Sequence, residues 1–422
     1  MSFLDNRWMR AAVPALLIHC SIGTVYCWSS FSAALADQIG TTPSVIGWAF
    51  SLAIFFLGMS AAFAGRFVER DIHKSSLLAC ICFTAGMVGT GVTIQFSGSL
   101  GTTATVLLIF LFYGCIMGIG LGIGYLTPVK TLMLWFSDRK GLATGISIMG
   151  FGLAKAIASP IMNALQLRVG LANMFYILSA VYFVMMMTGH FLLKKPAGWV
   201  EPHTKSAGHP LAIFKNRTFT GIWIMFYINI TCGLALISYE KPILQIAGFG
   251  VAAISIIQSL TAASNALGRI GFSTVSDWCR DRDTIYKIIF LLSLGITILA
   301  FLTHAISGKG AAIVILLMLI VNAGYGGGFS TLPALLSNRF GMKNISEIHG
   351  VALSAWAFAG LSGNQITAFV FRRTGNYDQV LPVLFVLYLI AFLISAFLVN
   401  QKNAVSADEA EKATEESIAA EA

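Results

Sequence analysis

The chain has 422 residues, of which 57% are hydrophobic and 11% charged, with seven cysteines and a formal net charge of +9. Soluble domains carry about 25% charged residues, so this composition excludes a cytosolic enzyme, a secreted disulfide scaffold and a disordered chain. What remains is a polytopic membrane protein, whose surplus Lys and Arg belong on loops beside anionic headgroups and not on a nucleic-acid surface.

A hydrocarbon core about 30 Å thick takes about 20 apolar residues per helix. Runs of that size lie near 9–35, 44–66, 75–96, 103–136, 141–167 and 172–193. After a polar stretch come 218–239, 249–275, 284–305, 311–336, 348–371 and 379–400. The first run follows Arg7 and Arg10 but is too long for a cleavable signal, so it reads as a retained helix. Twelve spans predict an all-α membrane protein of two pseudo-symmetric six-helix bundles. Residues 1–193 form the first bundle, 194–217 a linker, 218–400 the second bundle and 401–422 an acidic, solvated tail. The cysteines mostly sit inside apolar runs with no CxxC pair, which reads as packing; neither metal nor cofactor is expected.

Loops on one side of the spans hold nineteen of the 27 Lys and Arg, against five on the other (Arg168, Lys241, Lys309, Arg372 and Arg373). The positive-inside rule places both termini and the linker in the cytoplasm, in a bacterial-type inner membrane. The remaining three cations, Lys130, Lys155 and Arg269, fall within spans. An internal repeat joins the halves: Gly122–Pro128 (GIGYLTP) and Gly326–Pro333 (GGGFSTLP), and the loops 65–74 and 273–282. Paired repeats with the substrate near mid-membrane at their interface are a known transporter plan.

Arginine keeps its proton, and a charge deep in a span belongs to a cavity or ion path, so Arg269 is the leading site candidate. Lys155 lies fourteen residues after Gly141, about 21 Å along a helix and too central to snorkel. It reads as a cation facing a cavity, the alternative being a buried neutral amine. Lys130, six residues before Phe136, is open to both snorkelling and substrate contact. Among 18 acidic residues only Glu240 lies near a span, and it reads best as an outer-rim ion pair with Lys241. Cations in a low-dielectric interior with no acid beside them favour an anionic substrate, and the planar donor fork of arginine suits a carboxylate. His19, seven residues before Tyr26, reads chiefly as a bond to a neighbouring helix, with proton carriage as the alternative.

Gly65-x-x-x-Glu69-Arg70-x-x-x-Lys74 resembles the loop signature of the major facilitator superfamily, with Asp277 and Arg280 as a weak echo in the second half. Its expected work is close helix approach at Gly65 and a carboxylate–Arg pair that latches the halves. Tyr26-Cys27-Trp28-Ser29, Gly124-Tyr125-Leu126-Thr127-Pro128, Trp135-Phe136-Ser137-Asp138-Arg139-Lys140-Gly141-Leu142, Gly150-Phe151-Gly152 and Asn265-Ala266-Leu267-Gly268-Arg269 resemble the oxalate/formate antiporter family. The resemblance implies that Arg269 binds a substrate carboxylate and that Tyr26, Tyr125, Phe151, Tyr325 and Phe329 line the cavity. The oxalate exchanger of that family carries a helix-11 lysine where this chain has Trp356, so the second charge would have to come from Lys155 on the fifth span. The expectation is a monomeric secondary transporter of small organic anions, mono- or dicarboxylates, working by exchange. A proton–monocarboxylate symporter using His19 or Glu240 is the alternative, and a non-transporting carboxylate sensor stands below it. No HExxH, paired-carboxylate or GxSxG pattern suggests an enzyme.

Overall fold

The computed structural model describes residues 6–197, 199, 210–308, 310–342 and 344–399. The acidic tail, most of the linker, Lys309 and Lys343 lie outside the described residues. Twelve long helices follow in order: α1 (8–39), α2 (Pro43–Arg70), α3 (Ile72–Gln95), α4 (Thr102–Trp135), α5 (140–169), α6 (171–192), α7 (Arg217–Ile237), α8 (Val251–Ser276), α9 (Asp283–Leu302), α10 (Ala311–Phe340), α11 (Ile345–Thr374) and α12 (Val380–Phe397). Thr42 caps α2 ahead of Pro43, and the Asp71 carboxylate caps α3 by accepting from the His73 and Lys74 N–H groups at 3.0 and 2.9 Å; these are ordinary helix starts. Gly170, at φ 80°, is the single residue that turns α5 into α6, a backbone region that glycine alone enters without steric cost.

Burial sorts the helices into inner and outer ones. Gly118 and Gly120–Met133 of α4 are buried, as are Gly324–Ser337 of α10, each stretch with an internal proline, Pro128 and Pro333. The outer helices keep large apolar groups on the surface: Ile81 and Val88 on α3, Val184 and Phe191 on α6, Leu291 and Leu299 on α9, Val386 and Phe397 on α12. A water-soluble protein would hide such a belt; a lipid-facing one must expose it.

The ends of the described chain meet at one end of the molecule, where Lys194 N–H donates to the Arg10 carbonyl and Arg339 to the Val399 carbonyl. Most Lys and Arg gather there, and the two halves seal there. At one seam Glu69, in the last turn of α2, accepts the Ser346 N–H at the start of α11 (2.7 Å) and also pairs with Lys130 of α4. Beside it Arg66 Nε donates to Glu347 Oε1 at 2.9 Å. At the other seam Asp277, just past α8, accepts the N–H groups of Gly141 and Leu142 at the start of α5, both at 2.8 Å, and pairs with Arg282 at 2.8 Å. Each half thus caps a helix of the other with a carboxylate, satisfying orphan N–H groups at the positive end of the helix dipole. Glycines at Gly65 and Gly141 let the backbones close in, since an added Cβ would collide with Ser346–Glu347 or with Ser273.

The latch differs from the sequence expectation in its members. Glu69 does not use Arg70, which is exposed, and Lys74 pairs with Asp71 at 3.4 Å. The cross-half Arg is Arg66, and the acid facing it is Glu347. Toward the opposite end α2 and α11 are still in contact at Ile54 and Gly360, and Trp48, nearer that end, is exposed. Among the described residues no hydrogen bond or ion pair joins the halves beyond the level of Tyr26 and Tyr325.

Asp277→Asn keeps the shape of the cap but removes its charge, and a hydrogen bond to a charged group contributes about 1.5–3 kcal/mol. The population sealed at the basic end should fall about tenfold relative to the open one. Pulsed electron resonance between labels on basic-end loops of the two halves would read this, and an unchanged distance distribution would remove Asp277 from the seal.

Candidate functional site

Arg269 occupies the middle of the molecule, on α8 where that helix crosses α5 and α10. It is 1% exposed. Its Nε donates to the Asn265 side-chain oxygen at 2.9 Å, one turn back on α8, and one terminal nitrogen donates to the Ile148 carbonyl of α5 at 3.2 Å. Gly152 on α5 and Gly326 on α10 make room for it; a Cβ at either would press on the Arg269 side chain. No Asp or Glu lies within ion-pair distance of it among the described residues. A buried guanidinium with neutral partners only is held at a cost, because no opposite charge replaces the lost hydration.

Aromatic rings surround this charge. The guanidinium carbon lies 5.4 Å from the Phe329 ring centre and 6.0 Å from that of Phe151, within the range of a cation–π contact. Trp356 packs on Phe329 at 4.5 Å, on Tyr125 at 5.7 Å and on Phe151 at 5.8 Å. Tyr26 meets Phe151 at 5.4 Å and shares a 3.3 Å hydroxyl–hydroxyl bond with Tyr325 across the halves. The 3₁₀ turn Gly23–Cys27 in α1 carries Tyr26 to this point. The Tyr125 hydroxyl is buried and has no partner. All six aromatic candidates therefore gather around Arg269, three from α1, α4 and α5 of the first half, two from α10 and one from α11 of the second.

Three other candidates stand elsewhere. Lys155, one turn past Gly152, is exposed, and the residues that feel its field are Cys27 of α1 and Glu240 of the other half. Its exposed ammonium thus lies within electrostatic reach of both halves and outside the buried aromatic cluster. Lys130 is neither snorkelled nor at the Arg269 cluster: it is buried at the basic end on Glu69, with the Trp199 ring 5.8 Å away. Glu240 does not pair with Lys241. It is 8% exposed and accepts the Thr261 hydroxyl at 2.6 Å.

His19 is tied inside the first bundle. Its Nε2 faces the Tyr125 carbonyl at 3.0 Å, and Nδ1 faces the Ser147 hydroxyl at 2.7 Å and carbonyl at 3.0 Å. One neutral tautomer satisfies this, with Nε2–H donating to Tyr125 and the serine hydroxyl donating to Nδ1. The sequence reading passed over Arg66, Glu347 and His349. The helices run a turn beyond the hydrocarbon-length runs, so acids that looked like loop charge lie at or beside helix ends; only the weak echo of Glu69 by Asp277 in the corresponding loop signalled them.

Residues 15–364 match the model of the family described as Major Facilitator Superfamily. The chain is 25% identical over 358 residues to the uncharacterized MFS-type transporter YhjX of Escherichia coli, covering 83% of this chain and 85% of that one. It is 23% identical over 403 residues to the oxalate:formate antiporter of Oxalobacter formigenes (94% and 92%). It is 21% identical to apicoplast pyruvate carrier 1 of Toxoplasma gondii (88% and 85%). Among solved structures, a bacterial homologue of the iron transporter ferroportin in an outward-facing state superimposes with a TM-score of 0.73 at 12% identity, over 91% of this chain and 97% of that one.

Replacing a buried ionic group by a well-packed apolar one often stabilises a protein by about 1–4 kcal/mol. Arg269→Met should raise the melting temperature of the ligand-free protein by a few degrees while erasing stabilisation by any small acid. A fall in melting temperature would show that the Arg269 charge is already balanced within the fold.

Proposed function

This chain belongs to the major facilitator superfamily, and we propose that it is a secondary transporter that moves small mono- or dicarboxylates by exchange. The observation that carries the reading is Arg269: a permanent charge, buried at the junction of both halves, with neutral partners only and a ring of aromatic groups. A carboxylate supplies what is missing. It would accept from the guanidinium fork and from the unpartnered Tyr125 hydroxyl, while the Phe151 and Phe329 faces exclude water and limit its size. Lys155 stands in the cleft to attract the anion and to meet a second carboxylate of a diacid. Relatives named for oxalate, formate and pyruvate support that substrate class.

Exchange follows from electrostatics. The empty site keeps an unbalanced charge out of water, whereas a bound anion would make it a neutral pair, so loaded transitions are favoured over empty ones. The count of basic residues supports a cytoplasmic position for the sealed end, and on that reading the seal closes the cytoplasmic side.

One observation favours proton-coupled symport as a second reading. Glu240 is a buried carboxylate with no ion pair among the described residues, bonded to Thr261 and within the field of Lys155, and it could take up a proton during the cycle. His19 is less suited to the role because both ring nitrogens are engaged within one bundle.

Liposomes loaded with labelled oxalate or pyruvate would separate the two. Under exchange, external unlabelled acid accelerates efflux and an imposed proton gradient does not. Losing one partner of a buried charge pair costs about 2–5 kcal/mol, so Arg269→Gln should weaken half-saturation by about thirtyfold or more. Efflux indifferent to counter-substrate, driven by protons and lost in Glu240→Gln, would replace exchange by symport.

A further inference from the structure

The sealed end holds donors that the seal itself leaves unused. Between α4 and α11 runs a narrow cleft with Leu126, Val129 and Met133 on one wall and Lys130, Ser346 and His349 as its polar members. Ser346 and His349 are one turn apart on α11 and share a face. Both are fully buried, yet the Ser346 hydroxyl and His349 Nε2 have no hydrogen-bond partner. Buried polar groups are nearly always satisfied, so two orphans on one face point to a partner absent from this conformation.

A carboxylate is already bound at the edge of this face. Glu69 of α2 accepts the Ser346 N–H at 2.7 Å while its other oxygen pairs with Lys130. Glu69 and Lys130 belong to the same half, and α11 belongs to the other. When the halves part at this end, Glu69 stays on Lys130 and α11 departs with the Ser346 N–H, the Ser346 hydroxyl and His349 Nε2 all free, at the N-terminus of a thirty-residue helix. That set is an anion seat. Glu347, the acid next in sequence, faces Arg66 on α2 and on opening turns to water, where its charge is screened. The seat adjoins the central site: the His349 ring lies 6.0 Å from that of Tyr125, which touches Trp356 and Phe151.

We propose that Ser346 and His349 form a second carboxylate station, which Glu69 fills in part while the basic end is sealed and which the transported acid occupies on its way between Arg269 and that end. In the sealed state the cleft is too narrow for a guest, so the station exists only on the opening side of the cycle. Its donors are neutral, so it holds an anion more weakly than Arg269 does and hands it on to water. The proposal rests on the carboxylate reading above and adds a sidedness which that reading lacks.

The test uses the full-length protein in liposomes of uniform orientation, with labelled oxalate and pyruvate as probes and half-saturation measured separately from each face. His349→Ala and Ser346→Ala should each raise the half-saturating concentration at the basic-end face about tenfold or more, the loss of one hydrogen bond to a charged group, and shift the opposite face by less than twofold. His349→Gln, which keeps a side-chain donor, should recover most of the loss, as a packing role would not. Equal changes on both faces, or no change at the basic-end face in either alanine variant, would overturn the station while leaving carboxylate exchange intact. Wild-type protein that exchanges neither acid would overturn the carboxylate reading and the station with it.

Discussion

The arrangement of this protein turns on one unbalanced charge. Arg269 cannot lose its proton, is removed from water by the packing of α5, α8 and α10, and meets neutral groups: an amide oxygen, a backbone carbonyl, the Tyr26 hydroxyl and ring faces. Each contact softens the desolvation cost without cancelling it. The structure tolerates this at its centre because glycines on both flanking helices let the side chain lie flat between backbones, and because the helices around it are tightly packed everywhere else.

Negative charge is present but spent elsewhere. Glu69, Glu347 and Asp277 are all committed to the basic end, where they cap helices or pair with Lys130, Arg66 and Arg282 across and beside the two seams. This segregation serves both regions. Carboxylates at helix N-termini hold one end shut through bonds that depend on the halves being together, while among the described residues no acid pairs with the central Arg269. A carboxylate moved from the seal to the centre would satisfy Arg269 internally and remove its need for a guest.

The near two-fold symmetry gives the seal its balance. The α2–α11 seam and the α8–α5 seam use the same device, an acid at the end of one helix accepting N–H groups at the start of another in the opposite half. Loosening one seam leaves the other to be broken by the same motion, so the end opens as a unit. The symmetry stops at the centre, where Arg269 is buried while Lys155, the cation within α5 of the first half, is exposed.

Much of this was legible in the order of residues, because a bilayer imposes a simple rule. Backbone polar groups must be satisfied within each helix, so runs of apolar residues give the twelve spans directly, and a lone arginine inside one is conspicuous. Motif positions likewise brought Tyr26, Tyr125, Phe151, Tyr325, Phe329 and Trp356 into view as one group. The sequence could not say which charge faces which. Lys130, Arg70 and Glu240 were each matched with the wrong neighbour or left open, since ion pairing depends on how helices far apart in the chain are rotated and how far they extend past the hydrocarbon. Glu347 and His349 were invisible for the same reason: a charge at a helix end and a histidine in an apolar run acquire meaning only from the helix packed against them, and that packing is a property of the folded pair of halves.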